Sequence, residues 1–305
     1  MRGGLLPEAA DPAFYLEAKS MYDFVPAAAE ICRRHGIPAK GLSRADSGTH
    51  LVFLLPGMAI KVFAPPWPED FEAEHAALHA IGGGPFPAII HEGTLEGWPY
   101  LVTTRIAGRP ARELWPELSR REKETLLHDL GRQLRDLHRT PVPPELQTDW
   151  PAFASDLSST LESRNDPPTR EWRDWLLDRA SVDPGPFEPV LLHADVTWDH
   201  VFALRDGDGI RLTGLIDFGD AMSGHPLYEF GAPLLYMCFG EPDLTWGLLS
   251  GYGLPRSTAA ARSVLACSLL QRFGRLGRWL EKVPVADSGA FEEALFGVDL
   301  ERSGP

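Results

Sequence analysis

The chain has 305 residues, 44% of them apolar and 24% charged, and a formal net charge of −14. Those proportions belong to folded globular proteins and exclude disordered and fibrous classes, at a length where one core tends to divide in two. The acidic balance argues against nucleic acid as main partner, because phosphate binding needs clustered Lys and Arg; it would suit a cationic ligand, but on charge alone simple solubility is the better explanation.

The first third reads as strands with one helix before them. Pro26 to His35 is a predicted helix, with Pro at its start and Gly36 and Pro38 beyond its end. "HLVFLLPGMAIKVF" then reads as two antiparallel strands about a Pro56-Gly57 turn, followed by a helix, "PEDFEAEHAALHAIGGG", stopped by three glycines. "PAIIHEG" and "GWPYLVTTRIAG" are two further strands, and the stretch from Thr104 to Gly108 leaves the sheet. The rest is mainly helical. Ser119 and Glu122 form a capping box ahead of Leu127, Leu130, Leu134 and Leu137, and "TREWRDWLLDRA" and "STAAARSVLACSLLQRFGRLGRWLEKV" also read as helical. The expected organisation is α+β, with a small strand-rich lobe over 1–104 and a larger helical lobe over 105–305. Cys32, Cys238 and Cys267 lie far apart and form no CxxC pair, which predicts a reducing, cytoplasmic setting. "MRGGLLPEAADPAF" has no apolar leader core and no run spans a bilayer, so no membrane is expected.

One hairpin stands among the helices. In "LLHADVTWDHVFALRDGDGIRLTGLIDFGD", two strands, 201–204 and 210–216, flank a Gly/Asp turn. Antiparallel pairing would set His200 opposite Asp217, with Asp195 just before, a set suited to divalent metal and acid/base chemistry. Each alone reads equally well as a cap or a satisfied core histidine; the three together do so less well. Lys61, flanked by Ile60 and Val62 in a strand, needs a carboxylate or phosphate partner, and Glu72 and Glu74 follow on the next helix. A strand Lys, a helix Glu, an H-x-D loop and a D-F-G turn, in that order, are the parts of a kinase-like phosphotransferase.

From about Ser47 to Phe230 the chain resembles the aminoglycoside phosphotransferase family, which has a two-lobe protein-kinase-like fold. "HADVTWDH" is similar to its H-G-D-x4-N catalytic loop, "LIDFGD" to its metal turn, and "YLVTTRIAGRP" to the connector that holds the nucleotide base. The resemblance implies transfer of the γ-phosphate of ATP or GTP to a small-molecule hydroxyl. Asp195 would orient or deprotonate the hydroxyl, and Asp217 with His200 would hold Mg²⁺ or Mn²⁺. Lys61, oriented by Glu74, would hold the phosphates, with Ser47 and Gly48 in the covering loop and Thr104 and Ile106 beside the base. His193 would only tether the loop. Asp199, Asp220 and Glu229, with Glu241 and Asp243, are candidate contacts to a cationic acceptor such as an aminoglycoside, although an acid at 229 also braces the following segment. His200 replaces the family's Asn, as it does in subgroups acting on the 2″ hydroxyl of aminoglycosides and on macrolides, both associated with GTP. A macrolide or metabolite kinase and a non-catalytic nucleotide-binding module are the other readings. His193, Asp195 and His225 would also fit a two-His-one-carboxylate iron site, which requires an antiparallel jelly roll.

Overall fold

The computed structural model of the protein describes residues 4–8, 11–46, 48–207, 209–238, 240–298 and 300. The chain divides into two compact units, 1–107 with 214–220, and 108–213 with 221–305. In the first, helices α1 (Pro12–Met21) and α2 (Val25–Arg34) precede strands β1 (Ser43–Arg44), β2 (Leu51–Leu55) and β3 (Met58–Val62). Helix α3 (Pro68–Ile81) and strands β4 (Ile89–Leu95) and β5 (Trp98–Thr104) follow. The five strands form an antiparallel sheet in the order β1-β2-β3-β5-β4.

Alternation explains this sheet. Leu51, Phe53 and Leu55 on β2 and Ile60 and Val62 on β3 enter one core with Tyr15 of α1, Ile31 of α2 and Phe24 just before α2. Burying one face of each strand fixes register, because a slip by one residue would turn every apolar side chain outward. Helix α1 was not among the expected elements; Pro12 at its start and the cap from Asp11 to the Phe14 N–H are its local signals. Helix α3 ends where expected, on Gly82 in the left-handed conformation.

The second unit begins with β6 (Arg109–Pro110), α4 (Ala111–Leu114), the long α5 (Arg120–Leu137), α6 (Trp150–Ser159), α7 (Leu161–Asn165) and α8 (Arg170–Ala180). Strands β7 (Val190–Leu192), β8 (Val201–Asp206), β9 (Gly209–Leu215) and β10 (Met222–Gly224) come next, then α9 (Gly231–Pro233), α10 (Pro242–Tyr252), α11 (Thr258–Leu269), α12 (Leu276–Lys282) and α13 (Ser288–Phe296). The capping box of α5 forms as read, Ser119 accepting from the Glu122 N–H and Glu122 from the Ser119 N–H. The single helical stretch read over 257–283 is broken into α11 and α12. Gln271 leaves the helix to donate to the Ala194 carbonyl, and the chain reverses at Gly274. The sheets are a five-strand, a three-strand (β6-β8-β9) and a two-strand (β7-β10) assembly, so no jelly roll exists among the described residues. His225 accepts from the Leu227 N–H and its Nδ1 lies 3.6 Å from Cys267 Sγ, in a buried packing role. The iron-site reading is therefore set aside. All three cysteines are free and buried, and no described helix is long and apolar enough to cross a membrane.

Helices α5 and α10 meet through glycines. A Cβ on Gly131 would overlap the Leu248 carbonyl oxygen, and one on Gly251 the His128 carbonyl oxygen. This contact seats α5, whose C-terminal cap is His138. Gly131→Ala should lower stability by about 1–3 kcal/mol, the usual cost of overpacking, seen as a lower urea midpoint at unchanged slope.

Candidate active site

In the strand-rich unit, Lys61 lies on β3 between Val52 of β2 and Leu101 of β5. Its neighbours occupy the core face, so its own side chain emerges on the other. There Nζ donates to Glu74 Oε2 at 2.5 Å and to Asp217 Oδ1 at 2.8 Å. The Lys61 side chain is 12% exposed, Glu74 6% and Asp217 39%. Burial works against the ammonium's charge, but Asp217 and Glu74 outweigh it and raise the lysine above its ordinary pKa. Glu72, the other candidate partner, is exposed. Asp217 takes a left-handed backbone, φ 70°, which costs about 1–2 kcal/mol for a residue with a Cβ. Phe218 anchors the turn, fully buried with its ring edge-on to Phe86. A Cβ on Gly219 would sit 3.4 Å from both Asp217 Oδ1 and Asp70 Cβ.

Asp70 and His50, which were not singled out from the sequence, support this corner. The His50 Nδ1 accepts from the Ala64 N–H, so its proton resides on Nε2 and is donated to Asp70 at 2.8 Å. Ser47 lies outside the described residues. Gly48 has φ 107°, and its carbonyl accepts from Lys19, while the Thr49 carbonyl accepts from Tyr15 and Lys19. Helix α1 thus holds this loop by its carbonyls. Thr104 engages Ala88 twice, through its N–H and its hydroxyl, and the Arg105 N–H bonds Gly57. Ile106 is buried and packs near Gly214.

In the helical unit, β7 pairs with β10, bringing residue 193 beside the turn at 226–230 that carries Glu229. Glu229 is fully buried and accepts from the His193 N–H and the Ala194 N–H, both at 2.8 Å. Burial pushes its carboxyl up, but the His138 hydrogen bond and charge, with the backbone donor, hold it below the ordinary range. Ala194 has φ 64°, where the resembled motif has Gly, and is held from both sides, by Glu229 at its N–H and Gln271 at its carbonyl. The His193 ring accepts from the Asp195 N–H, so it shapes the loop. His200 Nδ1 lies 2.8 Å from the Asp195 carbonyl and 3.4 Å from its carboxylate. A carbonyl can only accept, so Nδ1 carries the proton and, in the neutral ring, the lone pair is on Nε2. Asp195 lines a small cavity of about 30 Å³ with Tyr236, Gln271, Phe273 and Trp279.

The candidate acceptor acids fare differently. Glu229 serves the loop and is closed to solvent. Asp199 pairs with Arg112 at 2.6 Å, and Asp243 with Arg120 at 2.6 Å, which also reaches Glu241. Asp220 lies half-buried at the end of "LIDFGD". His138 and Gln271 were not singled out: His138 ends "LGRQLRDLH", a stretch that resembles the family's helix before the catalytic loop, but nothing local shows that its ring would reach Glu229, and Gln271 sits in no motif.

A strand lysine held by a helix glutamate and a turn aspartate, with an H-x-D loop in a second, helical unit, defines a two-lobe α+β fold of the protein-kinase-like class. The comparisons agree. The model of the Phosphotransferase enzyme family matches residues 44–262, and the chain belongs to that family of kinase-type enzymes. It is 29% identical over 201 residues to an aminoglycoside 3′-phosphotransferase of Streptomyces ribosidificus, covering 58% of this chain and 72% of that protein. It is 26% identical over 223 residues to the lysine-specific demethylase JMJ21 of Arabidopsis thaliana, covering 58% of this chain but 24% of that protein, so it spans about a quarter of that relative's length. Among solved structures, the GDP complex of aminoglycoside 2′-phosphotransferase-IIIa superposes with a TM-score of 0.68 at 20% identity, over 92% of this chain and 98% of that one. A choline/ethanolamine kinase family protein from Mesorhizobium loti gives 0.54 at 20% identity, over 89% and 92%.

A carboxylate held below its unfolded pKa adds stability that is fully present above that value and lost as pH falls through the folded one. Glu229→Gln can accept from only one of the two amides and turns an NH₂ toward the other, so it should cost about 1–3 kcal/mol at neutral pH. Its melting temperature should then fall less steeply than the parent's below the ordinary glutamate value of 4.5, as followed by circular dichroism across pH.

Proposed function

We propose that the protein is a small-molecule O-phosphotransferase that moves the γ-phosphoryl group of ATP or GTP to an acceptor hydroxyl, with an aminoglycoside as the first acceptor class. The observation that carries this reading is the Lys61 ammonium bound to both Glu74 and Asp217. A buried lysine so oriented presents a fixed positive charge where nucleotide phosphates would lie. The strand-rich unit would hold the nucleotide. With the Thr104 and Arg105 N–H groups engaged inside the sheet, base recognition there would fall to Ile106 and nearby carbonyls.

Asp195 would accept the acceptor's proton as its oxygen bonds to the γ-phosphorus and the bond to the bridging β–γ oxygen breaks, releasing the nucleoside diphosphate. The donor chemistry fits a divalent ion: Asp217 offers hard carboxylate oxygen suited to Mg²⁺, and His200 a nitrogen lone pair on Nε2 that favours tolerance of Mn²⁺. When bound, such an ion would neutralise charge on the transferring phosphates. Catalysis otherwise rests on position, through the loop that Glu229 and Gln271 hold.

A second acceptor class is favoured by one contact. Lys282 places its ammonium 5.4 Å from the Trp198 ring and 5.6 Å from that of Tyr236, which also lines the Asp195 cavity. Aromatic faces that accept an ammonium suit a compact amino alcohol, whereas the acids considered for an aminoglycoside are mostly matched by Arg112 and Arg120.

Incubation with Mg²⁺ and ATP or GTP, against aminoglycosides, macrolides and amino alcohols, should add one phosphoryl mass to a single class. Asp195→Asn should lower turnover by roughly 10²–10⁴-fold with nucleotide affinity retained. Turnover at the parent rate in that variant would sink the catalytic assignment, and nucleotide binding without transfer to any acceptor would favour a binding module.

A further inference from the structure

On α3, His75 and His79 stand one turn apart with ring centroids 4.4 Å apart. Both rings reach across to Glu92 of β4. His75 Nε2 lies 3.0 Å and His79 Nε2 3.1 Å from the same oxygen, Glu92 Oε2. We propose that these three side chains form a binding site for a late first-row divalent cation of the Zn²⁺ type, separate from the phosphotransfer residues.

The geometry and the donor set both favour this. The i, i+4 spacing in "HAALH" puts two imidazoles on one helical face. An ion with bonds of about 2.0–2.1 Å in tetrahedral coordination requires donors roughly 3.3 Å apart. The two nitrogen–oxygen separations are already near that, and one ligand atom from each residue falls within 4.8 Å of the others. At present the Nε2 protons occupy the space between the rings and the carboxylate. An ion would take their place, each ring then carrying its proton on Nδ1 and Glu92 remaining ionised. Two imidazole nitrogens and a carboxylate oxygen select zinc-class metals over Mg²⁺ and Ca²⁺. The side chains are one-third to one-half exposed, so water can complete the shell. The ion would join α3 to β4, and His75 directly follows Glu74 in the chain, so it would hold the helix that orients Lys61.

The test uses the whole protein with Zn²⁺ alone, then Mg²⁺ alone, by equilibrium dialysis and thermal melting. The variants are His79→Gln, the pair His75→Gln/His79→Gln, and His128→Gln as an exposed control in the other unit. The parent should bind one more Zn²⁺ per chain than the double variant, and Zn²⁺ should raise the melting temperature of the parent more than that of the double variant. His79→Gln should weaken the extra site by at least ~10–100-fold, the loss known for weaker supporting partners. Metal-free melting should be alike in all forms. Because Asp217 and His200 are intact throughout, any ion held there appears equally in parent and variant. Equal Zn²⁺ stoichiometry and affinity in parent and double variant would overturn the proposal, as would displacement of the extra ion by an equal concentration of Mg²⁺.

Discussion

The strand-rich unit depends on the charge of Lys61. An ammonium in mid-strand, out of water, is tolerable only with its carboxylates in place, because an unpaired buried charge costs several kcal/mol. Glu74 comes from a helix 13 residues on and Asp217 from a turn 156 residues away. The ion pair therefore settles where two distant segments belong. Together with the Leu215 N–H bond to the Pro85 carbonyl, it ties residues 214–220 to the first 107. The buried Phe218 ring and the close approach at Gly219 supply the packing that lets Asp217 keep a left-handed backbone.

The helical unit uses a buried anion in the corresponding way. Glu229 gathers the N–H groups of residues 193 and 194 and the ring of His138, and that ring is fixed at the end of α5 by the Tyr252 hydroxyl at 2.8 Å. The glycine contact between α5 and α10 sets the position of both His138 and Tyr252. Gln271 completes the grip at the cost of one helix's continuity. The loop that carries Asp195 is thus held by buried groups on three separate segments, Glu229, His138 and Gln271, each fixed by hydrogen bonds of its own.

Much of this was legible in order along the chain. The alternation in residues 51–62, the capping box at Ser119 and the glycine stop at Gly82 each have a local physical cause, and each appears where read. The lone charged residue between Ile60 and Val62 announced that a partner was needed, with Glu72 and Glu74 both in reach; only the family resemblance, through "EHAAL", favoured Glu74. The ion pairs of the candidate acceptor acids were not legible, because a carboxylate in a sequence carries no sign of its counter-ion: Asp199 meets Arg112 across 87 positions. Helix α1 and the break at 270–275 also escaped, the first for lack of a strong apolar period and the second because its cause is a hydrogen bond to Ala194.

By itself the sequence determined the element types, the strand-rich then helical arrangement, and the residue types that phosphotransfer needs. These follow from backbone propensity and side-chain periodicity, which act over a few residues. Tertiary structure alone decided which carboxylate neutralises which cation, that Glu229 belongs to the loop, and which unit holds Asp217. The physical reason is range: hydrogen bonds and buried ion pairs act over a few ångströms of space, and the partners they join are separated here by up to 156 positions in the chain.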